Sequence, residues 1–285
     1  MLIAANHPNS FLDAIILTTL FKKPVYSLAR GDAFANKFYR KLLTSLNMFP
    51  VYRISEGVEN LEHNYKTFEQ CKEIFKQTGI VLIFSEGRCI NEWHLRSLKK
   101  GTARLAISAW QEGIPLKVLP LGINYSSFYS FGKNIQLNFG SMISKQDFDA
   151  DHTHGKSIAD FNDKLQQQLK QLVVEIDKKD SAAIKEKFKI EQSVIKKILL
   201  FIPALLGWIF HFTLYLPLKN FAWKRAAHND HFDSVMVGLL FIFYPLFLLL
   251  ISLLIFFFVG SWYWVLTFIV LPFCAWSYVQ LKHQF

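Results

Sequence analysis

The chain has 285 residues, of which 52% are hydrophobic and 16% aromatic, and its formal net charge is +10. This length is enough for one large domain or two small ones with a sizeable core. The positive charge favours an anionic partner, but no zinc-finger, recognition-helix or aromatic RNA-binding pattern accompanies it, so we expect no nucleic acid partner. Three widely spaced cysteines (Cys71, Cys89 and Cys274) argue against a disulfide framework and suit a reduced, cytosolic compartment.

Strand and helix patterns alternate through the first 145 residues. Short apolar runs predict strands at Leu2 to Ala5, Val25 to Ala29, Phe49 to Arg53, Ile80 to Ser85, Leu116 to Ile123 and Ile135 to Phe139. Helical periodicity lies between them at Leu12 to Leu20, Ala33 to Leu46, Glu59 to Gln77 and Gly101 to Gln111. This alternation predicts an α/β domain with a mixed sheet flanked by helices. The chain begins abruptly at the first predicted strand, so we expect a further segment before Met1.

The end of this α/β domain is predicted at residue 197. A helix from about Ser157 to Lys178 has apolar residues along one face and is expected to cap the domain. The following run, Lys178 to Lys197, is strongly basic. Basic clusters beside apolar segments are attracted to anionic lipid headgroups, so we expect membrane lipids as a partner.

Residues 198–285 are almost entirely apolar and predict an all-helical membrane domain. Its candidate segments are Ile198 to Leu218, Val235 to Val259 and Trp262 to Leu281. Basic residues flank the first segment on both sides, whereas positive residues prefer one face of a membrane. A re-entrant or interfacial first segment would keep both clusters cytoplasmic, and we favour it over three full spans. The expected location is the inner (cytoplasmic) membrane, with the α/β domain on the cytoplasmic side.

An imidazole and a carboxylate lie close together in the stretch Asn6-His7-Pro8-Asn9-Ser10-Phe11-Leu12-Asp13. Histidine takes up and returns a proton near neutral pH, and a carboxylate on its other ring nitrogen fixes the tautomer. A turn histidine followed by a capping aspartate would have the same sequence. The choice between these interpretations depends on the residues further along the chain.

A second polar stretch, Phe84-Ser85-Glu86-Gly87-Arg88, ends a predicted strand, and Arg96, Lys99 and Lys100 precede the next helix. A glycine, several cations and a helix N-terminus together suit a phosphate group. The alternative is an ordinary loop with solvated charges. Arg53 also ends a strand, and because ligands gather at the carboxyl ends of strands in open α/β sheets, these groups are expected to converge on His7.

Two polar loops contain histidine and aspartate, at Asp151 to His154 and at His228 to Asp233. Neither has a known metal-ligand spacing, so both are expected to be solvated or to face lipid headgroups. We expect neither a metal nor a cofactor.

Taken together, these stretches resemble the glycerolipid acyltransferases, which acylate glycerol 3-phosphate or 1-acylglycerol 3-phosphate. Asn6 to Asp13 resembles the His/Asp signature of this family. Its second, third and fourth sequence blocks are resembled by Phe49 to Arg53, Phe84 to Arg88 and the proline-containing Val118 to Ile123, respectively. The blocks occur in the family's order over residues 1–145, and the hydrophobic tail resembles that of a bacterial subgroup.

The sequence departs from the family pattern at two places. Five residues separate His7 from Asp13, where the family has four, so a bulge in the turn would be needed to bring them together. In the third block, Ser85 replaces the common proline and Arg88 directly follows Gly87.

The resemblance implies a membrane-bound acyltransferase with a thioester donor, either acyl-CoA or acyl-carrier protein, and glycerol 3-phosphate or lysophosphatidate as the acceptor. It implies that His7 is the catalytic base and that Asp13 orients it. The implied ligands of the acceptor and its phosphate are Arg53, Glu86, Gly87, Arg88, Arg96 and Lys100.

Three other functions stay open from the sequence. One is an acyltransferase for another lysolipid or an amino-lipid, and another is a non-enzymatic lipid-binding membrane protein. The third is a lipid hydrolase, but the chain has no Gly-x-Ser-x-Gly elbow.

Overall fold

The computed structural model of the protein describes residues 1–52, 61–148, 154–260 and 262–282. The chain forms two compact units. One comprises Met1–Asn124 and Gln136–Asp177, and the other comprises Tyr125–Ile135 and Lys178–Phe285. The domain boundary predicted at residue 197 lies later in the chain than the division between these units.

The first unit is built on a six-stranded sheet with the strand order β3-β2-β4-β1-β5-β6. The strands are β1 Leu2–Ala5, β2 Val25–Arg30, β3 Met48–Val51, β4 Ile80–Phe84, β5 Val118–Tyr125 and β6 Ile135–Phe139. The first five strands in this order are paired in parallel. β6 runs antiparallel to β5, because Ser126 N–H bonds the Asn134 carbonyl while Gly140 N–H bonds the Pro120 carbonyl. The predicted mixed sheet is therefore confirmed.

Helices flank this sheet, as predicted. They are α1 Ser10–Thr19, α2 Lys37–Ser45, α3 Leu61–Lys76, α4 Gly101–Gln111 and α5 His154–Leu172. Buried residues of α3, α4 and α5 share one core with the strand residues Leu2, Ala4, Val81 and Ile83. Because successive side chains of a strand point to opposite faces, these four residues lie on one face of the sheet, and that face packs against the three helices.

Two predicted helices differ from those of the structure. The prediction Ala33 to Leu46 is divided into a 3-10 turn at Gly31–Phe34 and α2, because the Asn36 side chain accepts the N–H of Phe38 and starts a new helix there. The predicted capping helix to Lys178 ends at Leu172. Its last carbonyl accepts hydrogen bonds from the Asn124 and Asn138 side chains, which ends the helix early.

The second unit contains α6 Ser181–Lys187 and three longer apolar helices: α7 Val194–Ala226, α8 Phe232–Val259 and α9 Thr267–Leu281, the last preceded by a 3-10 turn at Trp262–Leu266. Among the described residues, three segments are long and apolar enough to cross a membrane: α7, α8 and Trp262–Leu281. The first predicted membrane segment, Ile198 to Leu218, is shorter at both ends than the helix α7 that contains it. Ser193 caps α7, and Pro203 and Pro217 both lie inside it. The re-entrant arrangement of this segment stays a prediction.

Candidate active site

The carboxyl ends of β1 and β4 bring the two polar stretches together. These strands are adjacent and parallel, with Ala5 opposite Phe84, so His7 and Glu86 each lie two residues beyond the paired ends. The backbone N–H of His7 donates a hydrogen bond of 2.7 Å to Oε2 of Glu86. The predicted convergence at this edge is therefore present for the His7 and Glu86 stretches.

His7 and Asp13 form the predicted pair. Nδ1 of His7 lies 2.8 Å from Oδ2 of Asp13, whose side chain is completely buried. The same carboxylate oxygen accepts the backbone N–H of Asn9 at 2.8 Å, which holds the carboxylate against the turn. The His7 side chain is 19% exposed, and its Nε2 has no hydrogen-bond partner among the described residues. Asp13 therefore orients one ring nitrogen of His7, while the described residues leave the other one unengaged.

The extra residue between His7 and Asp13 is accommodated at Ser10. Its φ of +49° lies in the left-handed region, which residues with a side chain rarely adopt. Its backbone N–H donates to Sγ of Cys89 at 2.8 Å, which supports this conformation. The turn then leads directly into α1, and Asp13 lies in the first turn of that helix. A local distortion of the predicted kind thus brings the carboxylate to the imidazole.

Packing fixes the plane of the imidazole as well. The His7 ring stacks on Phe84 with 3.9 Å between ring centroids and 8° between planes. Asn6 continues the sheet beyond β1, since its side chain accepts the N–H of Ile123 and donates to its carbonyl. Asn91 donates to the carbonyl of Pro8 at 2.7 Å. Three different segments therefore hold the backbone around His7.

Glu86 is 5% exposed and binds backbone on both sides. Besides the His7 N–H on Oε2, its Oε1 accepts the backbone N–H of Arg96 at 2.8 Å. Burial raises the pKa of Glu86 above its ordinary value, while these two backbone hydrogen bonds act in the opposite direction. Because both neighbours are donors, the ionised carboxylate fits this environment and joins the β4 loop to the His7 turn.

The predicted phosphate ligands differ in their exposure and in whether another side chain already binds them. Arg88 and Lys100 are exposed, and Lys100 directly precedes α4. Nε of Arg96 lies 2.5 Å from Oε1 of Glu92, so this guanidinium is already engaged by a carboxylate. Gly87 has a φ of +66°, which suits glycine. Arg53 lies outside the described residues.

Direct contacts thus unite His7, Asp13 and Glu86, whereas within the described ranges no ion pair joins Arg88 or Lys100 to this group. No role is predicted from the sequence for Asn6, Asn91 or Cys89, or for the Phe84 ring. Each of these residues lies in or beside one of the sequence blocks that resemble the acyltransferases, and this position is the feature of the sequence that could have indicated a role. Their actual partners are far away in the chain.

The structure describes only one of the two polar loops that contain histidine and aspartate in full. Residues 149–153 lie outside the described part of the chain. In the second loop, Asp233 forms an ion pair with Lys133, and both side chains are nearly buried. Throughout the described residues, no three His, Cys, Asp or Glu side chains are grouped as potential metal ligands.

A comparison with protein families agrees with this geometry. Residues 1–124 match the Acyltransferase family. The matched segment contains β1 to β4, most of β5 and the His7, Asp13 and Glu86 cluster. A search of curated proteins found no match. The family match supports an acyltransferase and the resemblance to the glycerolipid acyltransferases.

Proposed function

We propose that the protein is a membrane-bound acyltransferase that moves an acyl chain from a thioester to the hydroxyl of a glycerol-phosphate acceptor in phospholipid synthesis. The observation that carries this proposal is the hydrogen bond between His7 and the buried Asp13, inside the segment that matches the Acyltransferase family. The donor is acyl-CoA or acyl-carrier protein, and the acceptor is lysophosphatidate or glycerol 3-phosphate.

His7 acts as the general base in the first step. With Nδ1–H donated to Asp13, the lone pair on Nε2 takes the proton of the acceptor hydroxyl. The alkoxide oxygen attacks the thioester carbonyl carbon, and the electron pair of the carbonyl moves to its oxygen. Asp13 stabilises the imidazolium that forms. General-base assistance of this kind is worth about 10²–10⁴-fold in rate.

The second step returns the proton. The tetrahedral intermediate collapses, the carbon–sulfur bond breaks, and the proton on Nε2 passes to the departing thiolate. The products are an ester and a free thiol, so His7 ends in its starting state and no acyl-enzyme forms. Because the proton transfers use one imidazole, the ring must stay in one orientation, and the Phe84 stack and the Asp13 bond both restrict it.

Recognition of the acceptor phosphate is assigned to cations near the carboxyl edge of the sheet. Arg88 is the first choice, because it follows Gly87 and its side chain is exposed. Lys100 at the start of α4 adds a second cation. Arg53 and Arg96 stay proposed ligands, and binding through Arg96 would require its guanidinium to share or leave Glu92. Glu86 contributes by positioning the His7 backbone.

Membrane residence is supported by the three segments of the described chain that are long and apolar enough to span a bilayer. A lysophospholipid acceptor and a phospholipid product both partition into lipid, so an enzyme held there meets its substrate at high local concentration. The proposed location is the cytoplasmic membrane with the active site on the cytoplasmic side, where the thioester donors are made.

The decisive experiment offers both acceptors side by side. Vesicles containing the purified protein receive labelled acyl-CoA or acyl-carrier protein together with glycerol 3-phosphate or lysophosphatidate, and lipid products and free fatty acid are separated. The expected result is transfer of label to one acceptor far above protein-free vesicles. Release of fatty acid without transfer would indicate a hydrolase, and no turnover with any pair would contradict the proposed enzyme.

A further inference from the structure

The helix α2 has no buried residue, although it carries several large apolar side chains. Phe38 is 72% exposed and Tyr39 56%, followed by Leu42 at 46% and Leu46 at 42% just after the helix. Single exposed apolar residues are ordinary on a protein surface, whereas a contiguous group of them marks an interaction site. We call these four residues the α2 apolar face.

These four side chains lie on one side of α2. Phe38, Leu42 and Leu46 recur every fourth residue and Tyr39 lies beside them, so together they cover an arc of about 100° on a helix with 3.6 residues per turn. Leu43, on the flank of this arc, is the half-buried residue of α2. Nε of Arg40 donates to the Phe34 carbonyl at 2.9 Å and so ties the helix to the turn before it.

Two lysines border the α2 apolar face on its outer side. Lys37 and Lys41 occur four residues apart and are both exposed. The helix is also sharply delimited. Asn36 caps its start by accepting the N–H of Phe38 at 2.8 Å, and Asn47 follows it with a φ of +56°. The α2 apolar face is therefore preformed.

We propose that the α2 apolar face docks into the interfacial region of an anionic lipid bilayer. A helix with Phe, Tyr and Leu on one face and lysines at its border has the pattern of helices that lie in the headgroup region. The lysines complement anionic headgroups, and the chain's three membrane-length helices supply the bilayer. Acidic groups alone would satisfy Lys37 and Lys41 but would leave the apolar side chains in water.

The location of α2 gives this docking a consequence for the site. α2 follows the carboxyl end of β2, and β2 pairs in parallel with β4, which ends beside Glu86. Phe38 at the start of α2 is therefore the part of the α2 apolar face nearest the edge that carries His7, whereas Leu46 leads back to the start of β3, which pairs with Ser27. This inference does not rest on the proposed acyl transfer, since it concerns only what the helix touches.

Photocrosslinking of the full chain tests the docking. The variant Phe38→p-benzoylphenylalanine is reconstituted in lipid nanodiscs with anionic headgroups, irradiated, and examined by mass spectrometry for adducts. Gln111→p-benzoylphenylalanine is the matched control, because Gln111 is exposed at the end of α4, toward the opposite edge of the sheet. We expect a lipid adduct at position 38 at least five-fold more abundant than at position 111.

Two further measurements make the result specific. In the Lys37→Glu/Lys41→Glu background, or in zwitterionic nanodiscs, the adduct at position 38 should fall at least three-fold. Equal lipid adducts at positions 38 and 111 would overturn the proposal. The proposal would also be overturned if added acyl-carrier protein crosslinked to position 38 in place of lipid. Leu42→p-benzoylphenylalanine repeats the test, and melting of each variant in detergent verifies that it is folded.

Discussion

The backbone N–H of His7 donates a hydrogen bond of 2.7 Å to a carboxylate oxygen of Glu86, which lies 79 residues further along the chain. The other oxygen of Glu86 holds the backbone of Arg96. Glu86 thus fixes the backbone of the proposed base without touching its ring. Glu86, in the third sequence block, therefore acts mainly by positioning His7, in the first block.

Replacement of Glu86 should lower turnover more than substrate affinity. Glu86→Gln keeps one acceptor but sets an amide N–H against a backbone N–H, which costs about 1–3 kcal/mol and shifts the His7 backbone. We expect kcat to fall roughly 10- to 100-fold while KM changes little. Steady-state kinetics with Glu73→Gln as the control measures this, because Glu73 is an exposed carboxylate that pairs with Lys76 on α3. A large rise in KM alone would instead favour direct acceptor binding by Glu86.

Glu86 should also leave a signature in stability against pH. Because burial raises its pKa in the folded protein, the folded state holds more protons than the unfolded state from about pH 4.5, the ordinary value, up to the raised pKa. The contribution of Glu86 to the free energy of unfolding therefore decreases as pH rises through that window. The melting temperature of the wild type in detergent should fall relative to Glu86→Gln across this range. A difference in melting temperature between the two proteins that did not change with pH would contradict a raised pKa for Glu86.

Asp13 should matter through the tautomer of His7. Asp13→Asn keeps the size of the side chain, but its amide favours donation to Nδ1 and places the ring proton on Nε2, where it blocks base catalysis. We expect kcat to fall about 10²–10⁴-fold with folding retained. Asp32→Asn is a suitable control, since Asp32 pairs with Arg30 on an exposed turn. Equal effects of the two substitutions would remove Asp13 from the mechanism.

The Phe84 ring should contribute to orientation alone. Stacked aromatic pairs are worth about 0.5–1.5 kcal/mol beyond buried area, so Phe84→Leu is expected to reduce kcat by roughly two- to ten-fold. Phe84→Tyr keeps the stack and should retain most activity. If both variants behaved alike, the loss would not come from the 3.9 Å ring contact.

Thiol reagents should inhibit through Cys89. Cys71 is fully buried, and burial raises its pKa to about 12, so it remains a thiol, while Cys274 is 3% exposed. Cys89 is half-buried, and its sulfur accepts the N–H of Ser10 in the turn that carries Asp13. Treatment with N-ethylmaleimide should abolish most activity of the wild type. The Cys89→Ser variant should keep the same activity before and after treatment; loss in both would point to a different thiol.

Much of the first unit follows from local sequence. The alternation of apolar runs and helical periodicity predicted every strand, and the ends of parallel strands explain why His7 and Glu86 meet. The His/Asp pair was also predictable. The left-handed Ser10 that makes the pair possible was not, because its conformation depends on a contact with Cys89, 79 residues away.

Other differences share this origin in long-range contacts. The Asn124 and Asn138 side chains end α5 at Leu172, although its apolar pattern continues beyond that point. In the second unit, Lys133 pairs with Asp233, 100 residues apart, within what the sequence suggested was an open polar loop. Hydrophobic periodicity reports which face of an element is buried, and it carries no information about such polar partners.

The role of His7 as the catalytic base is tested most directly by the effect of His7→Ala on acyl transfer. Reconstituted vesicles are assayed for transfer of labelled acyl groups from the thioester donor to the preferred acceptor. His94→Ala is the matched control, because His94 also bonds a carboxylate but is 63% exposed. We expect a loss of at least about 10²-fold in initial rate for His7→Ala and little change for His94→Ala. Transfer at the wild-type rate by folded His7→Ala would contradict this role.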